Sequence, residues 1–428
     1  MKRYVASLLG LGLALMVPVT ASAQKDNKYT KEASKYIGLA MAKQDAAAKA
    51  PLYEQALVQL QQGIASKDSL NAKIWLLAGQ TYVGLNRFME ADSAFDKAVQ
   101  LHPEYAEEIS GEREQGWIQA FNVGADLMNQ GKLPEAIATL EMAQMMYAER
   151  PEGLMNLGAL YSNQGDLDKA AAAFEEARKA ITGPLAAKLA EDQKAQWLRF
   201  DEMARINLAQ LEGQRGVNHF QAKEFTAAAT AFRKAHELNP YSRDFVFNLS
   251  QAIWAEASAI EEKLDSLPEA QKDAAKKQAA PELISLYQAL DTVAGEVVGI
   301  DPTNELVYII MARSHRMMGE YSGDPAKLSA AQAETVKLLN QREALPTELS
   351  EIMISTNEGV ATVRGTIKNR TLATGAAAAV KFTLLGIDGR VIGEQVLNLT
   401  APEKEQTAPF EGTIPVTGEI AGWKYALN

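Results

Sequence analysis

The stretch AKIWLLAGQTYVGLNRFMEADSAFDKAVQLHP, residues 72–103, decides how the rest of the chain is read. Gly79 and Ala91 stand where two antiparallel helices would touch, since only small side chains let two backbones approach closely. Tyr82 and Phe95 are placed to fill the space on either side of that contact. Pro103 ends the second helix, because it has no amide hydrogen for the next turn and its ring clashes with the preceding one. One short segment therefore predicts a helical hairpin that cannot bury its apolar faces alone and needs neighbours of the same kind.

Such neighbours follow. Gly124, Leu127, Ala136, Leu140 and Ala143 repeat the pattern, with Asn129-Gln130-Gly131-Lys132 as the turn. A further copy has Leu157-Gly158, Tyr161, Ala170, Phe174 and Ala177 around a Gly165-Asp166 turn, and another has Gly216, Phe220, Ala228, Phe232, Ala235 and Pro240. With Trp75, Ala78-Gly79, Tyr82, Ala91, Phe95, Ala98 and Pro103, the chain resembles the tetratricopeptide repeat (TPR) family, whose pattern is W-x2-L-G-x2-Y…A-x3-F…P. Ala78, where the pattern has leucine, is the departure. Gly124 and Gly158 lie one period of about 34 residues apart, whereas the steps before and after are about 11 and 24 residues longer. The extra residues are expected to lengthen helices around 104–115 and 183–204. Tyr53, Ala56 and Leu60 fit the second helix of a degenerate opening unit. After Pro240 the match weakens into elongated helices: one over 245–264, one restarted by Pro281 and ending near Asp301, and a last hairpin over 305–319 and 329–343.

Composition changes after Pro346. Alternating runs predict strands over 360–369, 378–387, 390–399, 410–416 and 422–427, with Val380, Phe382 and Leu384 on one face. Trp423, Tyr425 and Leu427 share another face, and Asp388-Gly389 reads as a hairpin turn. Turns at this density over about 80 residues suggest an immunoglobulin-like sandwich. The runs Val363-Arg364-Gly365-Thr366-Ile367-Lys368-Asn369, Lys381-Phe382-Thr383-Leu384 and Asp388-Gly389-Arg390-Val391 are similar to small extracellular domains of the FxLYD type. That resemblance implies an adhesive or spacer module; a module capping the helical array is the other reading.

The N-terminus reads as an address. Lys2 and Arg3 precede an apolar run over 5–17, Pro18 breaks it, and Ala21-Ser22-Ala23 supplies the small residues of a cleavage site before Gln24. About 13 apolar residues fall short of the roughly 20 that span a bilayer. The expected organisation is a signal peptide over 1–23 and a mainly α, TPR-like α-solenoid over 24–345. Its clearest repeats are 72–103, 117–150, 151–183 and 209–240, with divergent helices over 241–345, and a small all-β sandwich occupies 346–428. Export to the periplasm or secretion follows, with no later segment long and apolar enough to span a membrane.

A formal charge of −11 and a pI near 5.1 disfavour nucleic acid as a partner. The absence of cysteine excludes disulfides, thiolate metal sites, cysteine nucleophiles and a lipoprotein anchor. His102, His219, His236 and His315 form no H-E-x-x-H or similar arrangement, and no G-x-S-x-G elbow, phosphate-binding loop or dinucleotide fingerprint is present. No enzyme activity and no cofactor or metal is expected. Met142, Met145 and Met146 have the spacing of core packing, and Arg313, His315 and Arg316, with Glu320 and Asp324, that of a solvated face.

The TPR resemblance implies a protein or peptide partner on the face lined by the first helix of each pair. Counting turns from the glycines places Leu76, Gln80 and Val83, then Phe121, Ala125 and Met128, then Met155, Ala159 and Asn163 on that face. The set is mostly apolar and lacks the lysine and asparagine combination that relatives use to clamp a terminal carboxylate. The face is either an open groove or covered by a neighbouring helix or the 183–204 insertion. Two function classes remain: a non-catalytic interaction scaffold of the cell envelope, and a carrier or sensor enclosing a small apolar ligand beside Phe121, Met128 and Met155.

Overall fold

The computed structural model describes residues 26–427, so the signal-peptide reading of 1–23 lies outside the described residues. Helices come first: α1 Lys28–Met41, α2 Ala46–Ile64, α3 Ala72–Gly84, α4 Phe88–Leu101, α5 Ala106–Asn129, α6 Leu133–Met146 and α7 Pro151–Gln164. They continue with α8 Leu167–Ile181, α9 Glu191–Gln221, α10 Phe225–Leu238, α11 Arg243–Asp265, α12 Glu269–Ile300, α13 Glu305–Ser322 and α14 Pro325–Glu343. Strands follow as β1 Thr347–Asn357, β2 Val360–Asn369, β3 Ala377–Leu385, β4 Val391–Thr400, β5 Thr407–Pro415 and β6 Gly422–Leu427.

The hairpins close as the repeat pattern requires. A Cβ built on Gly158 would lie 2.7 Å from the Phe174 ring, one on Gly216 2.6 Å from Phe232, and one on Gly124 2.9 Å from Leu140; Gly79 meets Phe95 in the same way. Each glycine thus marks the line along which the first helix of a pair touches the second. Ala91, Ala136, Ala170 and Ala228 are fully buried on the opposing helices.

The first long step is absorbed inside a helix, the second partly so, with a short 3-10 turn over Pro184–Lys188 ahead of α9 rather than a helix lengthened throughout 183–204. An insertion of about 11 residues is close to three α-helical turns, so it lengthens a helix without rotating its apolar face. It forms the start of α5, where Glu112 accepts from Gln80 Nε2 on α3 at 2.8 Å and Arg113 reaches Asp92 and Asp96 on α4. The first half of α9 grips the hairpin before it likewise: Trp197 Nε1 donates to Glu152 on α7 at 3.2 Å and Arg178 on α8 to Asp201 at 2.7 Å.

The described chain divides into two compact units between Asp201 and Glu202, within α9. The strands therefore share a unit with the helices from Glu202 onward, and the helix-to-strand change near Leu345 is not where the compact units part. Pro281 does not restart a helix but lies inside α12. Losing one backbone bond there costs about 3 kcal/mol. The cost is offset because Leu283, Tyr287, Leu290, Ala294 and Val297 are all fully buried along one side of the helix. Unbroken, α12 is long and apolar enough to cross a membrane by length and composition, with a window of mean hydropathy 1.2. This corrects the expectation that no such segment follows the N-terminus; its buried side packs with α11 and α13 in one core.

The strands form two three-stranded antiparallel sheets, ordered β1-β2-β5 and β4-β3-β6, around a common core that includes Val363, Val380, Phe382, Ile414 and Tyr425. Strand β1 was not expected. A bulge between Ser350 and Met353, with Glu351 at φ +53°, puts Leu349 inward before it and Ile352 and Ile354 inward after it. That breaks the period of two by which a strand is recognised. The tight hairpin is Asn357–Val360, with Glu358 and Gly359 both at positive φ, whereas Asp388-Gly389 sits in a five-residue loop closed by Gly386 N–H donating to Arg390 O at 2.9 Å.

Strands and helices of the second unit are joined by buried polar groups. The Tyr425 hydroxyl donates to Asp301 Oδ1 at 2.5 Å and lies 2.5 Å from Thr303 Oγ1, which accepts from Leu349 N–H at 2.9 Å. Arg243 holds the other Asp301 oxygen at 3.1 and 3.2 Å. Nearby, Asn239 donates to the Ala421 carbonyl at 2.7 Å.

Candidate functional site

Successive residues of an α-helix turn by about 100°, so each repeat glycine gives the bearing of its neighbours. Leu76, Phe121 and Met155 precede their glycines by three and point about 60° away from the partner helix. They are 4%, 2% and 8% exposed, packed with the neighbouring helices, and Phe121 stacks on Trp117 with ring centroids 5.1 Å apart. Of the two alternatives for this face, open or covered, these three residues are covered and so cannot line an open partner groove, and two of the three residues assigned to an apolar ligand are buried in packing. Gln80, Val83 and Met128 are half-buried. Gln80 is engaged by Glu112, and the Val83 carbonyl accepts from Gln119 at 2.9 Å. Asn163 is exposed.

The side turned away from the partner helix holds a different set. Asn122 and Asn156 precede Gly124 and Gly158 by two, about 160° from the contact line; Asn129 and Asn163 follow by five, about 140° from it. Asn122, Asn129 and Asn163 are exposed and Asn156 is half-buried, with Ala125 and Ala159 between them. Among the described residues none of the four amides has a hydrogen-bond partner in the protein. Asparagine is a weaker helix former than alanine by roughly 0.7 kcal/mol, so Asn122 and Asn156 in mid-helix carry a cost that no internal bond offsets. Each amide offers two donor hydrogens and an acceptor, the pattern that pairs with the N–H and C=O of an extended peptide. Along either helix the amides stand about 10 Å apart, the rise of seven residues and the span of about three residues of extended chain. The recurrence of Asn122 and Asn129 at Asn156 and Asn163 was the signal in the sequence; only Asn163 was picked out from it.

One end of this face has a buried charge. Glu152, on the first turn of α7, is 6% exposed, lies 3.6 Å from Arg150 and accepts from Trp197. Arg150 also pairs with Glu114 at 2.5 Å and sits over the Trp117 ring. Burial raises the Glu152 carboxyl above the ordinary carboxylate value despite Arg150. The folded chain therefore holds that proton more tightly than the unfolded one, and stability falls as pH rises from about 4.5 through the raised value. Glu152→Gln keeps an oxygen for Trp197 and cannot ionise. Urea midpoints compared at low and neutral pH should show the variant at least as stable at neutral pH and with less of this slope. A loss of stability confined to neutral pH would mean that the ionised pair with Arg150 is favourable after all.

Of the three methionines assigned to the core, Met146 is 2% exposed against Gly116, whereas Met145 is 60% exposed. It borders a polar groove of about 980 Å³ with Asp92, Asp96 and Arg113. Among the described residues no three His, Asp or Glu side chains converge to hold a metal ion.

Tetratricopeptide-repeat family profiles match residues 72–105 and 124–184. A comparison with curated proteins returns no match. Among solved structures the chain is similar to MamA, at 18% identity over 49% of this chain and 93% of that one, with a TM-score of 0.23. It is also similar to YrrB, described as a TPR protein with an unusual peptide-binding site, at 15% identity over 58% and 93%, with a TM-score of 0.23. A third is the TPR2AB-domain:pHSP90 complex of yeast Sti1, at 18% identity over 64% and 94%, with a TM-score of 0.19.

Proposed function

We propose that the chain is a non-catalytic scaffold of the cell envelope that holds an extended segment of a partner protein against the first helices of its TPR repeats. The observation that carries this reading is the set of four unpartnered amides, Asn122, Asn129, Asn156 and Asn163, on the side of α5 and α7 turned away from their partner helices. The envelope location rests on the charged, apolar and small-residue order of 1–23. The sheets after Thr347, read as an immunoglobulin-like sandwich, serve as the closing module of the second unit.

The test is selection of linear peptides from a displayed random library on the immobilised full chain, followed by affinity measurement against Asn122→Ala, Asn156→Ala. Each amide makes up to two hydrogen bonds worth about 1 kcal/mol apiece, so the double variant should bind about 30-fold more weakly or worse. Both substitutions raise helix propensity, so the variant should fold at least as well as the native chain. Selected peptides that bind both proteins equally would move the site elsewhere, with the β-sheets the next place to look. Failure to select any peptide would count against the scaffold reading itself.

A further inference from the structure

The amide face has a covered end. Glu152 precedes Asn156 by one helical turn, so Glu152, Asn156, Ala159 and Asn163 follow one another along a single stripe of α7. Toward Asn163 the stripe is exposed, and at Glu152, which is 6% exposed, it is shut. The side chain that reaches Glu152 is Trp197, on the first half of α9, whose Nε1 donates to Glu152 Oε1 at 3.2 Å.

The segment that carries Trp197 is lightly held. Trp197 is 3% exposed and is the one buried residue of 184–198, while its neighbour Leu198 is 63% exposed. Among the described residues the indole also makes the one side-chain hydrogen bond from 184–198 to the rest of the protein. Lys194 pairs with Glu191 and Gln193 accepts from the Ala190 N–H, both within the segment. The next tie comes at Asp201, which accepts from Arg178 on α8. Segments with so few buried contacts open at a small fraction of the free energy of global unfolding. The contact itself is incomplete. Arg150 stops 3.6 Å from Glu152, and Glu152 Oε2 is buried without a donor from another residue. A buried carboxyl group short of donors gains free energy when water or a second donor reaches it.

We infer that residues 184–198 form a strap that competes with the partner segment for this end of the amide face, Trp197 standing where an aromatic side chain of the partner would bind. The inference rests on the peptide reading of that face. The seat takes a flat ring of indole size with its N–H directed at Glu152. One turn along the helix, Asn156 offers its amide to the backbone of the same incoming segment. A tryptophan in a partner segment already engaged by Asn163 and Asn156 meets both demands and displaces the strap. A strap docked about nine-tenths of the time weakens that binding about 10-fold, because only the open fraction accepts the partner.

The test uses linear peptides selected from a displayed random library on the immobilised full chain carrying Trp197→Ala. They should share a tryptophan at one recurring position and bind this variant about 10-fold or more tightly than the native chain. Trp197→Phe, which keeps a ring and loses the N–H donor, should fall between the two, and it carries the comparison if circular dichroism shows Trp197→Ala unfolded. Hydrogen exchange on the native chain supplies a readout that does not depend on affinity. Saturating peptide should speed exchange over 184–198, the reverse of its effect on a segment that it merely contacts. Equal affinity for native and variant chains, slowed exchange over 184–198, or selected peptides without a recurring aromatic residue would each overturn the strap and leave the amide face standing. Failure to select any peptide would remove both.

Discussion

Gly158→Val should destabilise the first unit by about 3–5 kcal/mol, enough to unfold it at moderate temperature. A Cβ at this position would already stand 2.7 Å from the Phe174 ring, a side chain that is 1% exposed. Valine adds two further methyl groups and a branched side chain that suits a helix poorly. The helices would have to part, opening voids along a seam where Ala170 and Ala177 are fully buried. Gly111 provides the contrast. It lies in α5 with nothing within 4 Å of its Cβ position, so Gly111→Ala should stabilise by about 1 kcal/mol through backbone entropy. Urea unfolding followed by helical circular dichroism, read at the first transition, would separate the two. If Gly158→Val cost no more than about 1 kcal/mol, the close approach of α7 and α8 would be wrong.

Asp301→Ala should cost the second unit about 3–5 kcal/mol and free the sheets from the helices. Asp301 is 2% exposed and accepts from Arg243, Asn304 and the Tyr425 hydroxyl. Removing the carboxylate leaves a guanidinium and a buried phenol without their acceptor. Tyr425→Phe removes the hydroxyl's bonds to Asp301 and Thr303 but keeps the carboxylate on Arg243, and should cost about 2 kcal/mol. The phenol stays protonated well above the ordinary tyrosine range, held there by burial and by the Asp301 charge, so mild alkali should not mimic the substitution. The informative readout is limited proteolysis near Leu345 together with Trp423 fluorescence. In the native chain both should change with the helices in one transition; in Asp301→Ala the strands should open first. A single coincident transition at unchanged midpoint would show that the sheets are held by apolar contact alone.

The repeats were legible because their grammar is local. A glycine, an alanine and an aromatic residue at fixed spacing state which helix touches which, and Gly79, Gly124, Gly158 and Gly216 all meet the side chains so implied. The first interruption was legible too, since an insertion of about 11 residues, near three turns, keeps α5 in phase. Three features were not. Pro281 looked like a boundary because its local cost is visible in the sequence, while the five buried residues beyond it that hold α12 together are not recognisable as buried. Strand β1 was hidden by its bulge. For Leu76, Phe121 and Met155 the sequence left an open groove and a covered face undecided, because apolar residues on a first helix fit either a seam or a binding face.

The sequence by itself determined the hairpin architecture, the recurrence of asparagine at 34-residue spacing and the change to alternating strands after Pro346. These follow from periodicity and from steric limits on glycine, alanine and proline, which act within a few residues. Only the tertiary structure decided which side of α5 and α7 stays open, that Arg313, read as part of a solvated face, turns to Glu261 on α11, and that Tyr425 and Asp301 bind strands to helices across more than a hundred residues. Those outcomes depend on which surfaces meet once the helices have stacked, and burial of that kind is a property of the assembled fold rather than of any segment within it.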